Sequence, residues 1–382
     1  NLKAKELSAK YGLRLIHGND SHYIYPEDKA MRDTFMNFNK KKKEKEKAKE
    51  AEYILDYPDS DDIFQRYKKQ GIFTPAEIEE ALNNTLIFED CEAIDIDKTV
   101  KIPLYDKTKS NEWHVEELRR HIDERFQKVV QQDHLSDDEI AKRRAAIESE
   151  FKIIADTNEL RTASYFLTDE KIAELATTKY GGVLTNSGRG SCVSFYINHV
   201  LGLTQVDRFD TDLPIFPERF MSTARILENH SLPDYDMNVK EQEPFAAASR
   251  ELMGEHGCYQ MVAYGTAQLG EAFRTVCRDD ESLSPDDYNE IAKNIENHVD
   301  DKKWKPYVEK AQKLIDVNNS ISPHPCSFLL WDRDIREEIG IVRINGAYCC
   351  LLTSAEADEW KYLKNDYLVV TLLSLICDTL NK

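Results

Sequence analysis

Leu232-Pro233-Asp234-Tyr235-Asp236-Met237-Asn238-Val239 is the stretch on which the reading of this chain turns. In an extended strand, neighbouring side chains leave opposite faces. Asp234 and Asp236 therefore share one face, while Tyr235 and Met237 share the other. Two carboxylates held so close repel each other unless a positive charge lies between them. A divalent cation is the usual solution, and ligation by oxygen alone points to Mg²⁺ or Mn²⁺. A bare D-x-D also describes an exposed acidic strand edge, so the neighbouring segments must decide.

Upstream, Gly181 to Thr185 reads as a strand, Asn186 to Ser191 as a tight loop, and Cys192 to Val200 as an amphipathic helix. Glycines let a backbone approach a ligand, the first N–H groups of a helix are unpaired, and its dipole favours an anion. Arg189 and the Ser191 hydroxyl add donors for phosphate oxygens. Gly188, Arg189, Gly190 and Ser191 are thus the candidate phosphate contacts, although a tight turn with a serine N-cap has the same letters. A triphosphate at this loop, with metals roughly 4 Å apart at Asp234 and Asp236, makes phosphoryl transfer the chemistry to expect. Such a site needs a third carboxylate from a distant segment.

With 382 residues and 44.2 kDa, the chain has room for roughly two or three domains. It begins at Asn1 rather than Met and enters a helical segment at once, Leu2 to Tyr11, as a fragment does. It contains no run of eighteen apolar residues and no leader, so a soluble cytoplasmic protein without membrane contact is expected. The eight cysteines (91, 192, 258, 277, 326, 349, 350, 377) form no C-x-x-C pair. They read as reduced, mostly buried thiols, not as a zinc site or a disulfide framework. A net charge of −19 argues against nucleic-acid binding over the whole surface. Between Lys179 and Arg278, however, nine basic residues face twelve acidic ones, which leaves a local basic groove open.

Leu13 to His17 is a short strand candidate that delivers Asp20 and His22. This D-x-H pair suits a metal at a strand end, and equally a solvated carboxylate beside a structural histidine. Pro26 opens a helix over Glu27 to Phe38, and Lys40 to Lys49 (KKKKEKEKAK) reads as a solvated helix or linker rather than a phosphate-binding arm. Thr74-Pro75-Ala76-Glu77 starts a further helix, and Ile94 to Pro103 reads as a strand entering a new domain. Apolar spacings of three and four predict helices over Trp113 to Phe126, Asp137 to Ala155 and Asp169 to Tyr180. Two short strands are expected in Arg225 to Val239, with the D-x-D on the second, and others at Tyr259 to Tyr264, Phe328 to Leu330, Ile341 to Arg343 and Tyr348 to Leu352. Thr266 to Cys277 reads as a helix, with Arg274 and Arg278 one turn apart, and Ser284 to Ile315 is largely helical. Val369 to Leu380 predicts a buried apolar helix.

Taken in order, Tyr165-Phe166-Leu167, Gly188-Arg189-Gly190-Ser191, Pro217-Glu218-Arg219-Phe220 and Leu232 to Asp236 resemble the YFL, GRGS, FERF and PDIDIDF segments of the bacterial replicative DNA polymerase III alpha subunits, the C-family polymerases. Tyr264-Gly265-Thr266 with Arg274 is similar to that family's FGT…RD, and His324-Pro325-Cys326 to its HACG. Leu363 to Leu368 is similar to LLKFDFLGL, and Asn19-Asp20-Ser21-His22-Tyr23 to the NDxHY near the end of its polymerase-and-histidinol-phosphatase (PHP) domain. The resemblance runs from residue 19 to 375.

This resemblance implies an α+β fold: a mixed-sheet nucleotidyltransferase-type palm with a helical thumb insertion and a helical N-terminal remnant of a PHP domain. The implied division is 1–100 for the PHP-like part, 101–265 for the first part of the palm, and 266–325 for the thumb. The second part of the palm follows at 326–370, and 371–382 starts the truncated fingers. Asp234, Asp236 and Asp366 are implied as catalytic aspartates binding two Mg²⁺ ions, for which Mn²⁺ can stand in. Gly190 and Ser191 would meet the triphosphate, and Arg274, Arg278 and Lys364 would contact DNA or phosphate. Asp20 and His22 would be residual metal ligands of the PHP cluster. The implied partners are primer-template DNA, a dNTP, the missing fingers and C-terminal part, and other replisome subunits.

The chain departs from the family pattern in four places. Asn238 replaces the last aspartate of PDIDIDF, and Gly270, beside Glu271, falls where the family carries a lysine. Cys192-Val193-Ser194 replaces a run of small residues after GRGS, and the sequence stops before the fingers and clamp-binding region. The leading expectation is a DNA polymerase core that joins a dNTP to a primer 3′-hydroxyl. The alternatives are a non-catalytic DNA-binding or assembly fragment of a split or divergent replicase, and a PHP-type phosphoesterase at Asp20 and His22.

Overall fold

Tyr235 decides which way the Asp-Tyr-Asp segment faces. Its ring is fully buried among Tyr165, Phe166 and Phe220, with centroids 5.0, 6.1 and 5.2 Å away, and its hydroxyl donates to Asn198 Oδ1 at 2.7 Å. Tyr165 in turn donates its hydroxyl to the Pro233 carbonyl at 2.7 Å. Burial of these rings is the dominant local driving force. It leaves the flanking aspartates no direction but outward.

The computed structural model describes residues 1–36, 54–93, 95–185, 190–212 and 214–380. The Lys40 to Lys49 run, and Gly188 and Arg189 of the glycine loop, lie outside the described residues. The chain divides into two compact units, Asn1–Asp95 with Gly265–Ser320, and Ile96–Tyr264 with Ile321–Lys382.

In the first unit, the helices Leu269–Arg278, Pro285–Lys293 and Lys305–Gln312 close a core of Phe273, Val276, Trp304, Val308 and Ala311, against which Met31 and Phe35 pack. The helix Pro75–Asn83 begins where expected, with Thr74 and Glu77 exchanging bonds as a capping box. Leu13 to His17, expected as a strand, is irregular, because a strand needs a ladder partner. Its backbone is held instead by single bonds, His17 N to the Ala81 carbonyl (3.0 Å) and Asn84 Nδ2 to the Leu15 carbonyl (2.6 Å).

A six-stranded mixed sheet forms the frame of the second unit: β1 (Asp236–Val239), β2 (Cys258–Thr266), β3 (Asn318–Leu330), β4 (Ile341–Ile344), β5 (Ala347–Cys350) and β6 (Lys364–Val369), in the order β1-β6-β3-β2-β5-β4. β1 and β6 run parallel, with Asp236 opposite Asp366 and Met237 opposite Tyr367. β3 is antiparallel to β6, with Ser327 opposite Asp366 and Phe328 opposite Asn365. Alternation then sorts the sheet. Lys364, Asp366, Asp236 and Ser327 stand on one face; Asn365, Tyr367, Met237 and Phe328 stand on the other. The second face is the packed one, where Tyr367 meets Phe245 and Phe328 with centroids 5.5 and 5.2 Å away. Its cover includes the helices Thr162–Thr178 and Glu243–Met253.

Several expectations are corrected. The helix predicted from Asp169 starts seven residues earlier, at Thr162, because Thr162 to Glu170 are all buried and show no polar stripe to reveal a period. Arg225 to Val239 holds one strand, not two. The helix Thr223–Leu227, capped by Ser222, takes the first position, and Asp234 lies just ahead of β1. Gly181 to Thr185 contributes an isolated antiparallel bridge, Leu184 to Val239. The Cys192 to Val200 segment is a 3₁₀ turn (Cys192–Ser194) followed by a short helix (Tyr196–Val200). The apolar helix Thr371–Leu380 is not buried: Leu372 and Leu380 are 65% and 80% exposed, and its recorded polar ties run to Lys240 on one side. Apolar composition makes a helix want cover without supplying it.

Tyr235→Phe should lower stability by about 1–3 kcal/mol, since it strands a buried Asn198 oxygen without changing ring packing. Chemical denaturation checks this, and an unchanged unfolding midpoint would contradict the anchoring role of the hydroxyl.

Candidate active site

Two strands and a turn deliver the acidic residues. Asp236 and Asp366 are directly opposed on the parallel β1–β6 pair, so their side chains leave the same face a few ångströms apart. Asp234 lies two residues before Asp236 and opens with it into a cleft of about 360 Å³, which is also lined by Ser191, Arg225, His230, Asp358, Lys361 and Lys364. Gly190 closes the turn against Asp236. Its φ is +64°, and a Cβ added there would fall 2.0 Å from Asp236 Oδ2. Glycine is required twice over, by the left-handed backbone and by the close approach.

Each acid is held by a neighbour. Lys364 Nζ donates to Asp234 Oδ1 at 2.9 Å and lies 3.1 Å from Asp358 Oδ1. The Ser327 hydroxyl donates to Asp366 Oδ1, while the Ser327 N–H donates to His324 Nδ1 at 2.9 Å. Burial raises the Asp234 carboxyl above the usual aspartate range; Lys364 opposes this, and Asp358 and Asp366 add to it. With 49% of the Asp234 side chain exposed, solvent screens that rise. Burial alone would lower Lys364, yet its two carboxylate partners outweigh it and hold the ammonium raised. Burial also pushes His324 down, which favours the neutral ring needed to accept the Ser327 bond.

As they stand, no three His, Cys, Asp or Glu side chains among the described residues form a ready metal cluster. The recorded bonds are consistent with that, since Asp234 is engaged by Lys364 and Asp366 by Ser327. The donor set itself, three carboxylates with no sulfur or imidazole, suits a hard divalent cation such as Mg²⁺ or Mn²⁺.

The helix expected to follow the glycine loop directly starts only at Tyr196. The N–H groups of Tyr196 and Ile197 at the start of the Tyr196–Val200 helix donate to the Glu150 carboxylate at 3.0 and 2.9 Å. That helix terminus already has its anion. Glu150 is fully buried, and burial pushes its carboxyl up to about 7 against the pull of Arg208, 2.8 Å away. What remains near Asp236 is the Gly190 turn and Ser191.

Behind β6, Asn365 Nδ2 donates to Asp169 Oδ1, and both residues are fully buried. Asp169 Oδ2 and Asn365 Oδ1 have no other partner among the described residues. Burial drives the Asp169 carboxyl up to about 8. Once protonated, it has the hydrogen that Asn365 Oδ1 lacks.

Elsewhere, Arg274 and Arg278 lie on the Leu269–Arg278 helix of the other unit, Arg274 half-buried and Arg278 exposed. Asp20 and His22 bond each other at 3.1 Å and are 84% and 45% exposed, with no third ligand among the described residues. Sequence reasoning missed Asp358, Ser327, Arg225, Glu150 and Asp169. Ser327, beside the His324 segment, and Asp169, two residues after Tyr165-Phe166-Leu167, stood near quoted motifs.

A mixed sheet with an in-register acidic pair on its open face and helices on the other defines an α+β fold of the kind seen in a polymerase palm. The family described as the bacterial DNA polymerase III alpha NTPase domain matches residues 116–369, and the chain belongs to it. It is 22% identical over its whole length to the probable DNA polymerase YorL of Bacillus subtilis (strain 168) and, equally, to the DNA-directed DNA polymerase of Bacillus phage SPbeta; in each case it covers 33% of the relative. It is 32% identical over 35% of its length to the DNA polymerase III subunit alpha of Mycoplasma genitalium, 14% of that protein. The chain thus spans about a third of the length of the relatives that match it throughout. Among the described residues, no helix is long and apolar enough to cross a membrane.

Two outcomes are expected. Gly190→Ala should cost about 1–2 kcal/mol for the left-handed backbone alone and should displace the Asp236 carboxylate. Denaturation together with Mn²⁺ titration reads both effects, and an unperturbed protein would contradict the close approach. For Asp169, the folded value lies above the unfolded one, so its contribution is full below the ordinary aspartate range and is lost as pH rises towards about 8. Asp169→Asn should therefore gain on the wild type in melting temperature between about pH 6 and pH 8. Parallel curves would rule out a buried proton.

Proposed function

We propose that this chain carries the nucleotidyl-transfer site of a DNA polymerase, joining a deoxynucleoside triphosphate to a primer 3′-hydroxyl. The observation that carries the reading is the register of Asp236 against Asp366, with the Gly190 turn abutting Asp236. Asp234, Asp236 and Asp366 would supply oxygen ligands to Mg²⁺ or Mn²⁺. When bound, such ions lower the pKa of the attacking hydroxyl and offset charge on the leaving phosphates. Ser191 would offer a hydroxyl to the triphosphate beside the glycine turn. Lys364 and Lys361 would bring positive charge to its phosphates, and the Arg225 guanidinium, 2.8 Å from the Arg219 carbonyl, would add more from a fixed position. Primer-template DNA, the dNTP, the fingers and other replisome subunits are proposed partners.

We assign 101–265 and 326–370 to the palm, 266–325 to the thumb, 1–100 to a PHP-like segment and 371–382 to the start of the fingers. Arg274 and Arg278 are proposed DNA contacts of the thumb. The exposed, mutually bonded Asp20 and His22 do not favour the phosphoesterase reading.

A second reading, a non-catalytic DNA-binding or assembly fragment, is favoured by the engagement of Asp234 with Lys364. Primer extension, with the C-terminal remainder of a relative supplied, separates the two. Asp236→Asn should reduce extension by about a hundred- to a thousandfold, as loss of a group stabilising transition-state charge does. Extension that survives the substitution, or Mn²⁺ affinity equal in both proteins, would leave only the assembly reading.

A further inference from the structure

Lys364 and Asp366 leave β6 on the same face, and the Lys364 side chain is only 5% exposed. Its ammonium is shared between two carboxylates from different elements, Asp234 at 2.9 Å and Asp358 at 3.1 Å. Asp358 comes from the short helix Ser354–Glu359. A left-handed Lys361 (φ 60°) and the bridge between Tyr362 and Lys101 then turn the chain back into β6, which brings Asp358 to a lysine six residues further on. No motif marks Asp358, and its side chain is 62% exposed.

We propose that Asp358 is a positioning residue for Lys364. It receives the ammonium when Asp234 is surrendered to a divalent cation, and so sets how tightly that cation is held. The proposal rests on the metal-dependent reading above. Its argument is one of charge conservation in a buried place. An ammonium out of water needs a partner, and removing one partner of a buried pair is far costlier than removing both. A divalent cation at Asp234 would share the carboxylate with Lys364, whose ammonium sits on Oδ1, and would repel that ammonium strongly at contact distance. With Asp358 present, Lys364 exchanges one carboxylate for another and no charge is stranded. Without it, cation binding leaves a buried lysine unpaired, or Asp234 stays tied to Lys364 and the cation loses a ligand. Either way affinity falls, although Asp358 need not touch the ion. The exposure of Asp358 lets its carboxylate follow the lysine at little cost.

The test is Mn²⁺ binding to the full 382-residue chain, read from the electron paramagnetic resonance signal of free Mn²⁺ without any assay of turnover. Asp358→Asn should weaken binding by about tenfold or more, the range for outer partners of metal ligands. Asp358→Glu should restore it. In a Lys364→Met background, where no ammonium needs rehousing, Asp358→Asn should have no effect. Asp236→Asn serves as the control for the site: if it leaves Mn²⁺ affinity unchanged, the metal reading itself fails. If Asp236→Asn abolishes binding and Asp358→Asn does not alter it, the role of Asp358 alone is overturned. Persistence of the Asp358→Asn defect beside Lys364→Met also overturns it, since Asp358 would then act as a ligand or through the fold. Should Lys364→Met fail to fold, Asp358→Glu decides: near-wild-type affinity upholds the proposal, and affinity at the Asp358→Asn level overturns it.

Discussion

The parallel pairing of β1 with β6 is the constraint on which the rest depends. Side chains alternate with a period of two, so slipping β6 by one residue would turn Asp366 to the packed face and bring Tyr367 out beside Asp236. What prevents the slip is aromatic. Tyr235 is locked among Tyr165, Phe166 and Phe220 ahead of β1, and Tyr367 among Phe245 and Phe328 behind β6, with its hydroxyl on Ser249 at 2.7 Å. Apolar burial on one side of the sheet thus sets charge crowding on the other. The carboxylates do not choose each other; the rings choose for them.

That arrangement holds like charges together at the expense of folding energy, and the neighbours of the acids limit the cost. Lys364 neutralises part of Asp234, and Ser327, fixed by its own N–H on His324 Nδ1, donates to Asp366. The helix terminus nearest the glycine turn is not available for the same work, because Glu150 fills it and is itself steadied by Arg208. What this cleft offers an anion is side-chain cations and the Gly190–Ser191 turn. In many phosphate loops the dipole of an open helix end takes that part.

Local signals were legible in the sequence. The opposite facing of Tyr235 and its flanking aspartates, the helix start at Thr74, and the apolar periodicity of Asp137 to Ala155 all depend on neighbours within a few residues, and the structure bears them out, whereas β6 over Lys364–Val369 was not read as a strand. Partners chosen by tertiary packing were not legible. Asp169 meets Asn365 from 196 positions away, a buried polar pair that neither residue announces alone. Asp358 carries no pattern because its role depends on a left-handed turn at Lys361, a backbone state lysine seldom adopts. The helix over Thr371–Leu380 misled in the opposite sense, since its composition promised cover that the described residues do not provide. Leu13 to His17 had strand letters and, among the described residues, no strand to pair with.

The net charge of −19 shows how little a whole-chain sum says about one cleft. At physiological ionic strength, exposed charges are screened beyond roughly 8 Å, so acid elsewhere on the surface scarcely reaches the site. Within that distance the balance is local. Asp234, Asp236 and Asp358 line the cleft, Asp366 stands opposite Asp236, and Lys361, Lys364 and Arg225 answer them. Neither the acids nor a triphosphate can be compensated by three side-chain cations of which one, Lys364, is already shared between two carboxylates. Adding the polyanion without adding divalent charge would leave the pocket strongly negative in a partly desolvated space, which is the least favourable place to put it. On the reading proposed above, a triphosphate at this cleft would therefore need divalent charge beside it, and the Asp358 carboxylate would let Lys364 yield Asp234 without being stranded.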